Sequence, residues 1–120
     1  MALHTELDIT KAAKDLFKIV SLCLVNMRKD MKQLFGRRLL DDCLAILNLI
    51  AVANAARGAA KIPHFDKLLE HQRSVGNLLE RCMDMGFIDL GLYARTLDPV
   101  AMVGRQANGL RSKFLPPPVA

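Results

Sequence analysis

The chain has 120 residues and a formal charge of +5, with 17 Lys and Arg against 12 Asp and Glu. Its length fits one domain, large enough to bury a real core. Apolar residues make up 52% of the composition but aromatics only 5%, with no Trp, so the apolar mass is Leu, Ala, Ile, Val and Met. Most of these are good helix formers, and the scarcity of turn residues points to an all-α chain.

A first helix is expected over 9–28. Ile9, Ala12, Ala13, Leu16, Ile19, Val20, Cys23 and Met27 recur at three- and four-residue steps and draw one apolar stripe. Thr5 or Asp8 would cap its start by accepting from free backbone N–H groups. Lys11, Lys14 and Lys18 share the opposite, outer face. In the junction "NMRKDMKQLFGRRLL", Asp30 and Gln33 have capping-box spacing. A second helix then runs from about Met31 to Ala56 and stops at Gly58. Gly36 weakens its first turns by about 1 kcal/mol relative to Ala, and a start after Gly36 is the alternative.

Within that helix, "CLAILNLIAVANAA" at 43–56 carries no charge. It is too short to span a bilayer, which takes about 20 apolar residues, and it is flanked by Asp41, Asp42 and Arg57. The first residues lack the basic region and long apolar run of a signal peptide. A cytoplasmic protein with no membrane partner is therefore expected. A bundle helix needs one apolar stripe, whereas this one is apolar nearly all round, so a second subunit is the simplest cover. Asn48, Ala51, Val52 and Ala55 are the candidate oligomer interface, with Asn48 able to fix register. Alanines tolerated at a surface are the alternative.

A third helix is expected from Pro63, well placed in a first turn, to Met85, with Gly86 ending it. Its stripe is Phe65, Leu68, Leu69, Gln72, Val75, Gly76, Leu79, Cys82 and Met83. Asp89 would cap a fourth helix reaching about Lys113 through Tyr93, Leu97, Val100, Val103, Gly104, Ala107 and Leu110. Pro99 should kink or split it, since proline removes a ladder bond and clashes with the preceding turn. Residues 114–120, "FLPPPVA", read as a flexible Pro-rich tail. Four amphipathic helices with short connections give an antiparallel up-down-up-down four-helix bundle over 1–113.

No catalytic constellation emerges. The cysteines are odd in number and sit among apolar residues, which reads as buried free thiols. His64 and His71 read as a surface pair with no further ligand to complete a metal site. "GRQANG" at 104–109 has no Walker lysine. Asp41 and Asp42 point about 100° apart on a helix and read as a solvated or interface pair. No cofactor is implied. Arg28, Lys29, Lys32, Arg37 and Arg38 instead put five positive charges into eleven residues with Asp30 as the one acid. Contact with phosphates and release of their counterions is the functional reading, a solvated helix start the plain one. Few aromatics are available for base stacking, so any recognition should be of backbone and shape.

The stretches "MRKDMKQLFGRRLLDDCLAIL", "LLERCMDMGFIDLGLYARTL" and "VGRQANGL" resemble the four-helix-bundle family of proteins encoded in intervening sequences of large-subunit ribosomal RNA genes. The likeness is nearest to its branch of accessory variability determinants from diversity-generating retroelements. That resemblance implies a ring-shaped homopentamer that binds RNA or DNA and assists a reverse transcriptase. It also adds Arg73, Arg81 and Arg105 as candidate binding or interface residues. The expected function is therefore a non-enzymatic nucleic-acid-binding accessory protein. A structural ring that docks acidic protein surfaces is the rival, and a small-ligand carrier is the third reading.

Overall fold

The computed structural model describes residues 4–117. Four long helices account for nearly all of them, and no strand occurs among the described residues. They are α1 (His4–Val25), α2 (29–55), α3 (Ile62–Asp84) and α4 (Leu90–Lys113). Helix α1 packs against α2 and α4, and α3 packs against the same two. Successive helices run antiparallel: Lys61 meets Ala53 across the α2–α3 turn while Ser74 meets Asp42, and Gln72 reaches Val100 while Asp66 pairs with Arg111. This is the arrangement expected of an up-down-up-down bundle.

The expected stripe of α1 is the one that faces the core. Ile9, Ala12, Ala13, Leu16, Val20, Cys23 and Met27 are all buried, and Ile19 is half-buried. The ends differ from expectation, because α1 begins at His4 and stops at Val25. Asp8 therefore lies inside the helix and does not cap it, and the side chain of Thr5 lies outside the described residues.

Helix α2 is built from three consecutive segments: an α turn at Lys29–Met31, a π turn at Lys32–Gly36, and regular α-helix over Arg37–Ala55. Its start precedes Gly36, and Arg28 occupies the N-cap without a side-chain bond. The Asp30–Gln33 capping box does not form. Asp30 is already in the first turn, where its carboxylate accepts from the Met31 N–H at 3.0 Å. Gly36 is buried in the π turn, and a Cβ there would overlap Leu24 of α1. The glycine thus trades helix propensity for a close approach of two helices. Phe35, just before it, packs on Phe87 with ring centroids 5.4 Å apart.

The charge-free stretch turns out to have two sides. Leu39, Asp42, Cys43, Ile46, Ile50 and Ala53 form the buried stripe of α2. Leu44, Asn48, Ala51, Val52 and Ala55 are exposed on the other side, with Leu44 at 53%. No helix of the described residues is long and apolar enough to cross a membrane.

At the end of α2 the side chain of Lys61 is buried. Its ammonium donates to the Ala53 carbonyl at 2.7 Å and lies 5.3 Å from the centre of the Phe114 ring. It supplies one of the hydrogen bonds that a helix C-terminus cannot make internally. Helix α3 carries Pro63 in its first turn and ends on Gly86 at φ 78°. There the Phe87 N–H donates to the Cys82 carbonyl at 2.8 Å and the Gly86 N–H to that of Met83 at 3.0 Å, the bond pair of a Schellman stop. Asp89 then caps α4 as expected, accepting from the Leu92 N–H at 2.7 Å.

Helix α4 continues unbroken through Pro99, so the expected split does not occur. One missing N–H is outweighed by packing on both sides of the proline, where Thr96 and Val103 are buried. Leu97, expected in the core, is exposed. Thr96 takes that place, with its hydroxyl donating to the Tyr93 carbonyl at 2.7 Å. Gly104 is buried against the Gln72 side chain, which donates to the Val100 carbonyl at 3.1 Å. After Lys113 the first tail residue, Phe114, still packs on the core. Residues 115–117 of the tail are exposed, and 118–120 lie outside the described residues.

Candidate functional site

Helical geometry splits the basic run of the first junction. Arg37 and Arg38 are neighbours in sequence, so their side chains leave α2 about 100° apart. Arg37 goes with Lys32 to an open groove between α1 and α2, floored by Leu24, Gly36, Leu40 and Leu44 and bordered by Asp41. Arg38 goes to the opposite flank and enters a cleft between α2 and α3. Glu70, Arg73, Ser74, Asn77 and Arg81 also line that cleft.

The cleft therefore gathers three of the expected basic residues from distant parts of the chain. Arg73 and Arg81 are eight residues apart on α3, an axial separation of about 12 Å, and Arg38 stands across from them on α2. None of the three is in an ion pair among the described residues. The other candidates are not brought to this place. Lys11, Lys14 and Lys18 are exposed on α1, with Lys11 3.4 Å from Asp15. Arg28 and Lys29 sit at the start of α2, Arg28 lying 3.6 Å from Asp30. Arg105 is exposed on α4 next to buried Gly104.

Asp42 corrects an expectation. It is not a solvated or interface residue, because its place on the 39-42-43-46 stripe buries it, leaving 8% exposure. Burial of a carboxylate demands partners, and α3 supplies two: the Ser74 hydroxyl donates to Oδ2 at 2.6 Å, and His71 Nδ1 lies 2.9 Å from Oδ1. His71 is consequently bonded into the α2–α3 seam rather than forming a surface pair with His64. The three residue types of a hydrolytic triad meet here, but in the wrong order. A catalytic serine gives its proton to histidine, whereas this hydroxyl is turned to the carboxylate. The arrangement holds two helices in register and places Ser74 in the wall of the cleft.

The link between Asp42, His71 and Ser74 was missed from sequence. Its signal was there in part, since Asp42 falls on an apolar spacing and His71 and Ser74 are three apart on one helix face. The cysteines are free and buried. Burial, helped by the Asp42 carboxylate, pushes the Cys43 thiol up to about 12. Burial and neighbouring Cys82 push Cys23 up to about 11. Both stay protonated at neutral pH and are poor nucleophiles. Among the described residues no group of three or more His, Cys, Asp or Glu is placed to hold a metal ion.

No protein-family model, curated protein or solved structure matches this chain.

Proposed function

We propose that the chain is a non-enzymatic nucleic-acid-binding accessory protein that contacts phosphates through the α2–α3 cleft. The observation that carries this reading is the convergence of Arg38, Arg73 and Arg81 on one cleft without an ion-pair partner. Guanidinium groups suit phosphate because their planar fork donates two parallel bonds. Asn77 adds an amide donor to the same wall. The lysines of α1 and the Arg28–Lys32 turn broaden the positive surface around the bundle, which favours long polyanions over a small ligand.

The proposal includes a ring-shaped homo-oligomer. Asn48, Ala51, Val52 and Ala55 lie on the exposed side of α2 together with Leu44, a face that a second copy would cover. The resemblance favours five copies and a reverse transcriptase as partner. In a ring the cleft repeats, so weak sites act together through effective concentration.

The test is titration of a labelled structured RNA and a duplex DNA at several salt concentrations. Binding should fall steeply with salt on a log–log plot. Replacing Arg38, Arg73 and Arg81 with Glu should abolish it with helicity unchanged, while the same reversal at Lys11, Lys14 and Lys18 should weaken it less. Binding that survives in the cleft variant refutes the site. Light scattering should give a mass several times 13.3 kDa; a clean monomer refutes the ring. The rival reading, a ring that docks proteins, draws on the apolar α1–α2 groove with exposed Leu44. It gains if neither nucleic acid binds at low salt.

A further inference from the structure

We propose that His71 tunes the anion affinity of the α2–α3 cleft through Asp42, so that protonation of His71 strengthens phosphate binding. The inference rests on the reading of the cleft as a phosphate site and adds its regulation by pH. The device is made of three contacts. Asp42 offers one carboxylate oxygen to Ser74 and the other to His71, and Ser74 lines the cleft beside Arg73. Arg38, another cleft residue, is one turn from Asp42 on the same helix.

An ionised carboxylate only accepts hydrogen bonds, so the neutral imidazole facing it carries its proton on Nδ1. In that state a buried negative charge lies behind Ser74 of the cleft wall and is compensated by the dipoles of His71 and Ser74. It opposes an incoming phosphate. Histidine is the side chain that ordinarily changes charge between pH 5 and 8. The second proton would enter at Nε2, on a side chain that is 37% exposed, and needs no rearrangement of the Nδ1 contact. The imidazolium then pairs with Asp42, and the seam behind Ser74 in the cleft wall becomes more positive by one charge.

The other charged groups near His71 can be assigned. On α2 they are Arg38 and Asp42, with Asp41 turned to the opposite groove. On α3 they are Lys67, Glu70 and Arg73, and of these Glu70 and Arg73 line the cleft. On its far flank α3 meets α4 through Gln72 and the Asp66–Arg111 pair. The other imidazole on α3 is His64, two turns before His71, and its variant is the control.

The sign follows by linkage. Anion binding favours the protonated form, so affinity is highest at low pH and is lost as pH rises through the histidine range. At constant ionic strength, a labelled structured RNA should bind roughly three- to tenfold tighter at pH 5.5 than at pH 8, the range expected for one nearby, partly screened charge. His71→Gln should bind with nearly the same affinity at both pH values. His64→Gln should keep the wild-type dependence. Asp42→Asn removes the opposing charge and should raise affinity at pH 8 toward the wild-type value at pH 5.5. Helicity of each variant is checked by circular dichroism, and should Asp42→Asn not fold, His71→Gln alone decides. Binding with an unchanged pH dependence in His71→Gln overturns this inference and leaves the phosphate site standing. Absence of binding at every pH and at low salt overturns both.

Discussion

Replacing Lys61 with Met removes an ammonium and keeps most of the stem that packs beside Phe114. The lost bond to the Ala53 carbonyl is charge-assisted and contributes about 1.5–3 kcal/mol, and the cation–π contact with Phe114 about 0.5–2 kcal/mol. Two effects act against the full sum. The Ala53 carbonyl keeps a backbone partner in the Ala56 N–H at 3.2 Å, so it is not orphaned. Lys61 as a whole is 8% exposed, and Met is spared the dehydration of the ammonium, which offsets on the order of half the gain. Lys61→Met should therefore cost about 1–2 kcal/mol, a fall of about 3–10 °C in Tm for a chain of this size. Thermal and urea unfolding followed by circular dichroism measure it. Pairing it with Phe114→Leu in a double-mutant cycle isolates the ring contact, expected at about 0.5–1 kcal/mol. A Met variant as stable as the parent would show that the buried charge is a burden which its two contacts merely cancel, and would refute the reasoning.

Gly36→Ala should lower stability by about 0.5–2 kcal/mol, since the overpacking cost against buried Leu24 exceeds the gain in helix propensity; an unchanged urea midpoint would mean that Leu24 has room to move. Asp89→Ala should lose about 1 kcal/mol with the cap on Leu92, and Asp89→Asn much less, as read from the same midpoint. All three cysteines should resist alkylation in the native protein and react together on unfolding. Because the folded pKa of Cys43 is raised to about 12, its contribution is intact below the unfolded thiol value and fades as pH climbs from about 9 toward 12. The wild type should thus lose more stability between pH 8 and 10.5 than Cys43→Ala does.

The buried stripes of α1 and α3 were legible because a 3.6-residue period is a direct record of which side faces the core. Asp89 and Gly86 were legible for a related reason, as cap chemistry depends on residues within a few positions. Most of the misses come from non-local packing, and one from a bond inside a helix. Thr96 displaces Leu97 because its hydroxyl finds a carbonyl within its own helix, so burial costs it little. Asp42 reads as a surface residue until two partners appear from a helix about thirty residues away. The cleft was legible as a list and not as a place. Arg38, Arg73 and Arg81 were each candidates, but nothing in the linear order separates them from Arg37 or Arg105. The π turn left no trace in the pattern at all, since its spacing shows only once Gly36 is seen against Leu24.

That π turn makes the head of α2 a separately phased unit. It closes each bond over one residue more than a regular turn, so everything before it is rotated by roughly 100° relative to an uninterrupted helix. Arg28, Lys29 and Lys32 are aimed by this offset, independently of the stripe that seats the rest of α2 in the core. A single-residue deletion in the turn would swing the three charges around the helix axis and give up the contacts that Phe35 and Gly36 make with Phe87 and Leu24. The direction of the most basic turn is therefore tied to how Phe35 and Gly36 seat against the core.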